Sequence, residues 1–479
     1  MFAGACASHA VRGARLRNAL LALLAAFSAG SDTANKFGIG CYADTPGSPT
    51  VDVQLDGAAA LTGRGGWVVL YLCSWREGGA GGRSCMNAST TRDPASEQAL
   101  RSAYARGLRV VARIGYPYTV RDHADDAAGA GATATPHPSS GVGGVGVGGV
   151  GGVGGVGGVG GVGGVGGVGG VGGGAGGAGG AGGEVVARVN YTSLAAAYAR
   201  LVGSLPPPPD GAPLYVNVGN EFNACNEWRC SAPASAAVAV PSGGGGALNM
   251  SGVLMAQEVA AFSRDVAAAL APLRAAGGGS ASGGGWRPGQ LRLAHQPLAN
   301  WQTPPCRCGD AASLGPGEHG LVFLQNMLAA QPALYGAPTV DWLSSHSYPY
   351  SMAPWGSDKA HRGLTYYANE TALIAAAQGR PPAEAPLPVV ITETGWKSGA
   401  LPAVGGAAAM ANYTALAFEQ LWLPDDRVIG VCPFLLAGKF WEPGGFQWAN
   451  VTASGALAPR PVFATITQLR CKVVGGAGC

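Results

Sequence analysis

An α/β chain closing as a (β/α)8 TIM barrel with long Gly-rich insertions is the fold this sequence predicts, on three observations. Eight short apolar runs alternate along the chain with eight helix-like stretches. Two of the runs, Leu214-Tyr-Val-Asn-Val-Gly-Asn-Glu221 and Pro388-Val-Val-Ile-Thr-Glu393, finish on a carboxylate, which is expensive to bury and belongs at the mouth of a cleft. No Gly-rich turn of dinucleotide spacing follows the first run, so the competing doubly wound sheet loses its usual function.

Taken in order, the first strand is expected at Phe37 to Tyr42, and a helix from Val51 to Leu61 leads to a second strand at Trp67 to Trp75. A helix from Pro94 to Arg106 precedes strand three, Arg109 to Tyr116. After a long interruption, Ser193 to Leu205 reads as a helix and Leu214 to Asn220 as strand four. A helix over 252–274, strand five at Leu291 to Leu298 and a helix at Leu321 to Ala330 follow. Strand six is Val340 to His346, then a helix from Tyr366 to Ala377 and strand seven from Pro388 to Glu393. A helix at Ala407 to Leu423, strand eight at Val428 to Leu436 and a last helix at Phe463 to Cys471 complete the barrel, which spans 36–471.

The interruption is almost entirely Gly with Val and later Ala over 141–183, mostly as Gly-Gly-Val triplets. One small side chain per triplet cannot repay the entropy lost in ordering the glycines, so a flexible loop is expected. Absence of Pro from the repeat disfavours collagen. Tethering in an extracellular matrix is the functional alternative to an expanded surface insertion.

The 479 residues carry a formal charge of +3, which leaves no basic excess for a nucleic-acid partner. Arg12, Arg15 and Arg17, the apolar run over 19–27 and the small residues Ser28 to Ser31 follow the order of a secretory signal peptide over 1–30, too short to span a bilayer comfortably. A secreted protein without a membrane span in its mature form is expected. Removal of Cys6 leaves an even set of cysteines, compatible with disulfides whose pairing the sequence does not disclose; Cys225 and Cys230 could close a small loop. No Cys or His cluster has zinc spacing, and no metal or organic cofactor is implied. Asn-x-Ser/Thr sites at Asn87, Asn190, Asn249, Asn369, Asn412 and Asn450 would accept glycans in that compartment.

Barrels carry their reactive groups at the C-terminal ends of strands. Here those ends present Trp75 and Arg76, Arg113 and Tyr116, Asn220 and Glu221, His295 and Gln296, His346 and Tyr348, Glu393 and Trp396, and Trp441 beyond strand eight. Two carboxylates among hydrogen-bonding groups and aromatic plates suit a sugar, whose ring offers an apolar face and a rim of hydroxyls. The pair of acids is the kit for breaking a glycosidic bond.

The Asn-Glu ending strand four, the His-x-Tyr at strand six and the Glu-x-Gly-Trp at strand seven resemble the clan of retaining glycoside hydrolases on the (β/α)8 barrel, which includes endo-β-glucanases, β-mannanases and β-1,3-glucanases. Val-Gly-Asn-Glu and Glu-Thr-Gly-Trp are locally similar to the β-1,3-glucanase branch, whereas Asn-Glu and His-Ser-Tyr also suit the cellulase-like one. The resemblance implies Glu221 as general acid/base, Glu393 as nucleophile, Asn220 on the 2-hydroxyl of the reacting sugar, Tyr348 orienting Glu393, and His346 lining the same subsite. Glu221 would then have to stay protonated until Glu393 is esterified. Trp396 and Trp441 would be sugar platforms. Many clan members hold an Arg on strand two; none lies within Trp67 to Trp75, and Arg113 on strand three or Arg76 would replace it. Phe222 follows Glu221 where many relatives have Pro. The expected partner is a polysaccharide or oligosaccharide substrate, the alternatives being a catalytically silent carbohydrate-binding barrel or a matrix protein.

Overall fold

The computed structural model describes residues 35–41, 49–72, 92–114, 191–223, 250–276, 286–300, 318–336, 339–350, 357–381, 384, 387–401, 405–438, 445–475 and 479. The signal-like 1–30 stretch, the 141–183 repeat, Trp75, Arg76, Tyr116, Trp441 and the Cys225–Cys230 loop lie outside the described residues.

The order is β1 (Gly38–Cys41), α1 (Val51–Thr62), β2 (Trp67–Leu72), α2 (Pro94–Ala105), β3 (Arg109–Ile114), α3 (Thr192–Ser204), β4 (Leu214–Val218), α4 (Met250–Ala276), β5 (Leu291–His295), α5 (Glu318–Ala330), β6 (Leu343–His346), α6 (Asp358–Leu364), α7 (Tyr366–Ala377), β7 (Val389–Glu393), α8 (Gly406–Ala417), β8 (Val428–Val431), β9 (Ala449–Val451), β10 (Leu457–Pro459) and α9 (Pro461–Val473). The first eight strands pair in parallel as two arcs, β1 to β5 and β6 to β8. Two seams close them. A parallel bridge between Phe37 and Val431, with Gly40 N–H donating to Pro433 O at 3.0 Å, joins β8 to β1. Across the other seam Asp341 N–H donates to Leu293 O at 2.8 Å, and Asp341 Oδ2 accepts from Leu293 N–H at 2.9 Å. The result is the expected (β/α)8 barrel.

Alternation along the strands sorts side chains into two cores. On β2, Val68, Leu70 and Leu72 face the helices, whereas Trp67, Val69 and Tyr71 face the interior. Trp67, Tyr215 and Trp342 plug the floor through edge contacts of 4.8 and 5.6 Å between ring centroids. On β3 the inward positions are Val111 and, one step higher, Arg113, so the cation stands above an apolar floor. Helix starts follow local chemistry: Asp93 caps α2 by accepting from Ser96 N–H at 3.2 Å, with Pro94 in the first turn.

The short α6, seeded by a Ser357 cap, and the β9–β10 hairpin were not anticipated. A Cys471–Cys479 disulfide ties the end of α9 to the terminal residue, and Cys41 and Cys432 are buried thiols. No helix among the described residues is long and apolar enough to cross a membrane. The Asn-x-Ser/Thr asparagines that can be placed, Asn369, Asn412 and Asn450, are exposed.

Candidate active site

At the end of β4 the chain turns through Gly219, at φ +82°. The turn presses the Phe222 ring so close that a Cβ on Gly219 would stand 2.0 Å from it, which explains the glycine. Glu221 is held at φ +36°, in the left-handed region that a non-Gly residue enters at a cost of about 1–3 kcal/mol. The residue is 5% exposed, and its side chain turns into the mouth, where Oε1 meets His346 Nδ1 at 2.5 Å.

Glu393 arrives by a different device. Strict alternation would send it outward with Val389 and Ile391, which pack among the helices. Instead the β6–β7 register slips by one residue: Ser345 pairs with Ile391, and His346 with Glu393. Thr392 is the extra residue, its hydroxyl bonded to Ser344 Oγ at 2.7 Å. The slip brings the Glu393 carboxylate inward, level with His346.

Three groups hold that carboxylate. Tyr71 Oη donates to Oε1 at 2.5 Å, Arg113 Nη1 donates to the same oxygen, and Tyr348 Oη donates to Oε2 at 3.0 Å. Arg113 is 2% exposed and serves as the hub. Nη1 also donates to Tyr71 Oη at 3.0 Å and Asn220 Oδ1 at 2.8 Å; Nη2 lies 2.9 Å from His346 Nε2, and the guanidinium stacks 4.7 Å over the Tyr71 ring. A guanidinium can only donate, so Nε2 accepts and the His346 proton sits on Nδ1, pointing at Glu221.

Burial drives His346 down to about 3, with Glu393 pulling it up and Arg113 pushing it down, so the imidazole is neutral near pH 7. Burial also pushes the Glu393 carboxyl up, but the attraction of the His346–Arg113 pair and the bonds from Tyr71 and Arg113 outweigh it and hold the pKa below 4.5. With His346 neutral, the cation responsible is Arg113.

Glu221, His346 and Glu393 each place a donor atom within 4.8 Å of the others, the grouping among the described residues that could ligate a metal. Both imidazole nitrogens are already committed, one as a proton donor and one to Arg113, and Arg113 supplies the positive charge. The arrangement therefore does not fit a metal.

The structure brings Glu221, Glu393, Asn220, His346, Tyr348 and Arg113 together, with Arg113 from β3 beside the nucleophile candidate. Trp396 lies elsewhere. It is fully buried against Tyr413 of α8, at 5.8 Å between ring centroids, and an indole with no free face cannot stack on a sugar. His295 shares the outward register of Leu291 and Leu293 and bonds Leu334 O at 2.9 Å; burial lowers its pKa to about 4. Tyr71 was missed, although its place in the inward series Trp67, Val69, Tyr71 is readable. Phe446 and Phe434 extend the aromatic wall from Tyr348, with centroids 5.4 and 5.8 Å apart in turn.

No family model and no curated protein matches the sequence. Among solved structures, a family 39 glycoside hydrolase from Bacteroides cellulosilyticus WH2 is 13% identical at a TM-score of 0.41, covering 93% of this chain and 64% of that one. Gas2p of Saccharomyces cerevisiae, in complex with laminaritetraose and laminaripentaose, is 10% identical at 0.39, covering 91% and 64%. AbfB, a family 51 α-L-arabinofuranosidase from Bifidobacterium longum, is 12% identical at 0.43, covering 91% and 73%. The chain thus spans less than two thirds of the length of the first of these structures. At these identities and scores the likeness adds nothing to what the strand pairing and the two seams establish on their own. The solved structures this chain resembles are glycoside hydrolases.

Proposed function

We propose that the chain is a secreted retaining glycoside hydrolase that cleaves β-glycosidic bonds in a polysaccharide, a β-glucan or β-mannan, by double displacement. The observation that carries the reading is the pair of buried acids, Glu221 just past the end of β4 and Glu393 on β7, each with one carboxylate oxygen within 4.8 Å of one on the other and with unlike partners. Acids about 5–5.5 Å apart suit a retaining route, whereas an inverting route needs room for a water between them.

In this reading Glu393, ionised beside Arg113, attacks the anomeric carbon as the bond to the leaving oxygen breaks. Glu221 gives its proton to that oxygen. His346 Nδ1–H, donating to Oε1, holds the Glu221 carboxyl in place for that transfer. Glu221 then takes a proton from water, whose oxygen bonds the anomeric carbon while the ester to Glu393 breaks. A sugar hydroxyl replacing that water would make the protein a transglycosylase with the same residues. Asn220, its Oδ1 engaged by Arg113, keeps its amide N–H groups for the 2-hydroxyl. Export is supported by the Cys471–Cys479 disulfide and the exposed Asn369, Asn412 and Asn450.

Product release from β-1,3-, β-1,4- and mixed-linkage glucans and β-mannans, with Glu393→Gln as control and the anomer formed first read by NMR, tests this. Cleavage with retention that disappears in the control is expected. Inversion, or equal activity in the control, would overturn it.

A further inference from the structure

Behind the strand that carries His346, a further carboxyl is buried in the helix layer. Glu370 on α7 is 1% exposed, and its Oε2 accepts a hydrogen bond from Ser345 Oγ at 2.5 Å. Ser345 Oγ also meets Ser347 Oγ at 3.0 Å, and Ser347 Oγ accepts from Tyr367 N–H at 3.3 Å in the first turn of the same helix. His346 lies between the two serines, pointing inward while they face α7. Ser347 is fixed on its other side as well: its N–H donates to Glu393 O at 3.1 Å, and its carbonyl accepts from Thr394 Oγ1 at 2.6 Å. An acid is an expensive way to pack a helix against a strand, and aliphatic packing would suffice if packing were all it did.

The titratable groups whose fields couple to Glu370 are Tyr335, from the turn after α5, and Tyr366 on its own helix; Tyr350 backs Tyr366 at 6.3 Å between ring centroids. All are phenols. Among the described residues no cation contributes to its field, and burial raises the carboxyl to about 8 against the pull of the Ser345 bond. Around pH 7 it is a neutral acid.

We propose that Glu370 is a positioning residue: through Ser345 and Ser347 its carboxyl sets the strand segment that aims His346 at Glu221 and Arg113. The kinetic arm of the test rests on the glycosidase reading; the spectroscopic arm does not. In histidine-labelled full-length protein, the ring nitrogen signals of His346, assigned by their loss in His346→Asn, report the Nδ1–H tautomer and its hydrogen bond. Wild-type signals should show a step as pH rises through about 8, when Glu370 ionises, and that step should be missing in Glu370→Gln, which keeps a neutral group of the same shape, whereas any movement caused by Glu221 ionising against Nδ1–H is common to both proteins. Glu370→Ala should displace them at every pH and lower kcat on the order of 10²-fold, as misplacement of a reacting group does, with KM little changed. Signals identical in wild type and Glu370→Gln throughout the titration would overturn the proposal, whether or not Glu370→Ala folds. A wild type that cleaves no glycan while its His346 signals titrate as expected would sink the glycosidase reading and leave this one standing.

Discussion

Replacing Arg113 with Met tests whether this guanidinium is the counter-charge of Glu393. Methionine keeps an apolar stem of similar reach over Tyr71 but removes the donors to Glu393, Tyr71, Asn220 and His346 together. Glu393, 6% exposed, is then a buried carboxylate held only by the hydroxyls of Tyr71 and Tyr348. Breaking a buried pair from one side costs about 3–5 kcal/mol. At about 2–4 °C per kcal/mol for a domain of a few hundred residues, the melting temperature at pH 7 should fall on the order of 10 °C. The pH dependence follows from the sign of the shift. In the wild type the Glu393 pKa is depressed, so its stabilisation is present above 4.5 and lost as pH falls through the folded value. In Arg113→Met burial prevails and the pKa is raised, so relative to wild type the variant should lose least near pH 4 and most near pH 7. Adding Glu393→Gln removes the stranded charge and should restore at least half of the loss; Arg113→Lys, which keeps the charge but cannot span both Glu393 and His346, should lose less than Met. Thermal unfolding of the four proteins at pH 4 and 7 is the assay. Equal losses at both pH values, or a double variant no more stable than Arg113→Met, would refute the argument.

Gly219→Ala places a Cβ 2.0 Å from the Phe222 ring at φ +82° and should cost about 1–3 kcal/mol and at least tenfold in kcat/KM by displacing Glu221; melting curves and kinetics check it, and unchanged kinetics would contradict the strained-turn account. His295→Leu strips Leu334 O of its donor and should cost about 1–3 kcal/mol while leaving kcat/KM within about twofold, whereas a large catalytic loss would return His295 to the site. Between pH 4.5 and about 8 the unfolded chain releases the Glu370 proton and the folded one keeps it, so this acid lowers stability by about 1.4 kcal/mol per pH unit across that window. Denaturant titrations of Glu370→Gln over the same range should show that slope flattened.

The eight barrel strands were legible as short apolar runs, Val-rich in strands two, three, four and seven, which admit few other readings in an alternating chain. Their ends were less so: strand eight was expected to reach Leu436, whereas β8 ends at Val431. The seven-residue α6 has no apolar period to find and depends on its Ser357 cap. At the site, the two glutamates stood out because an acid ending an apolar run is costly anywhere but a cleft. Parity along β5 already assigns His295 to the helix side, since Leu291 and Leu293 occupy that face. Trp396 lies beyond β7, where alternation gives no guidance. The same rule misleads at Glu393, because the slip at Thr392 is a property of the β6–β7 pairing and leaves no mark on either sequence alone. Arg113 was legible as a charged residue in the inward series of β3, but its four partners converge only once the ring closes.

A regular strand offers the barrel interior a side chain only about every 7 Å, the span of two residues. The extra residue at Thr392 inserts a half-step into that ladder and lets Glu393 stop at the height of His346 instead of one rung below or facing away. The gap between the two acids is therefore governed by the length of β7. Exchanging one β7 residue for another leaves the acid at its level, whereas one residue gained or lost ahead of Glu393 would move it to another height or another face. Anyone redesigning this mouth by transplanting loops would have to carry the segments 343–348 and 389–394 across as a unit, since neither holds the level without the other.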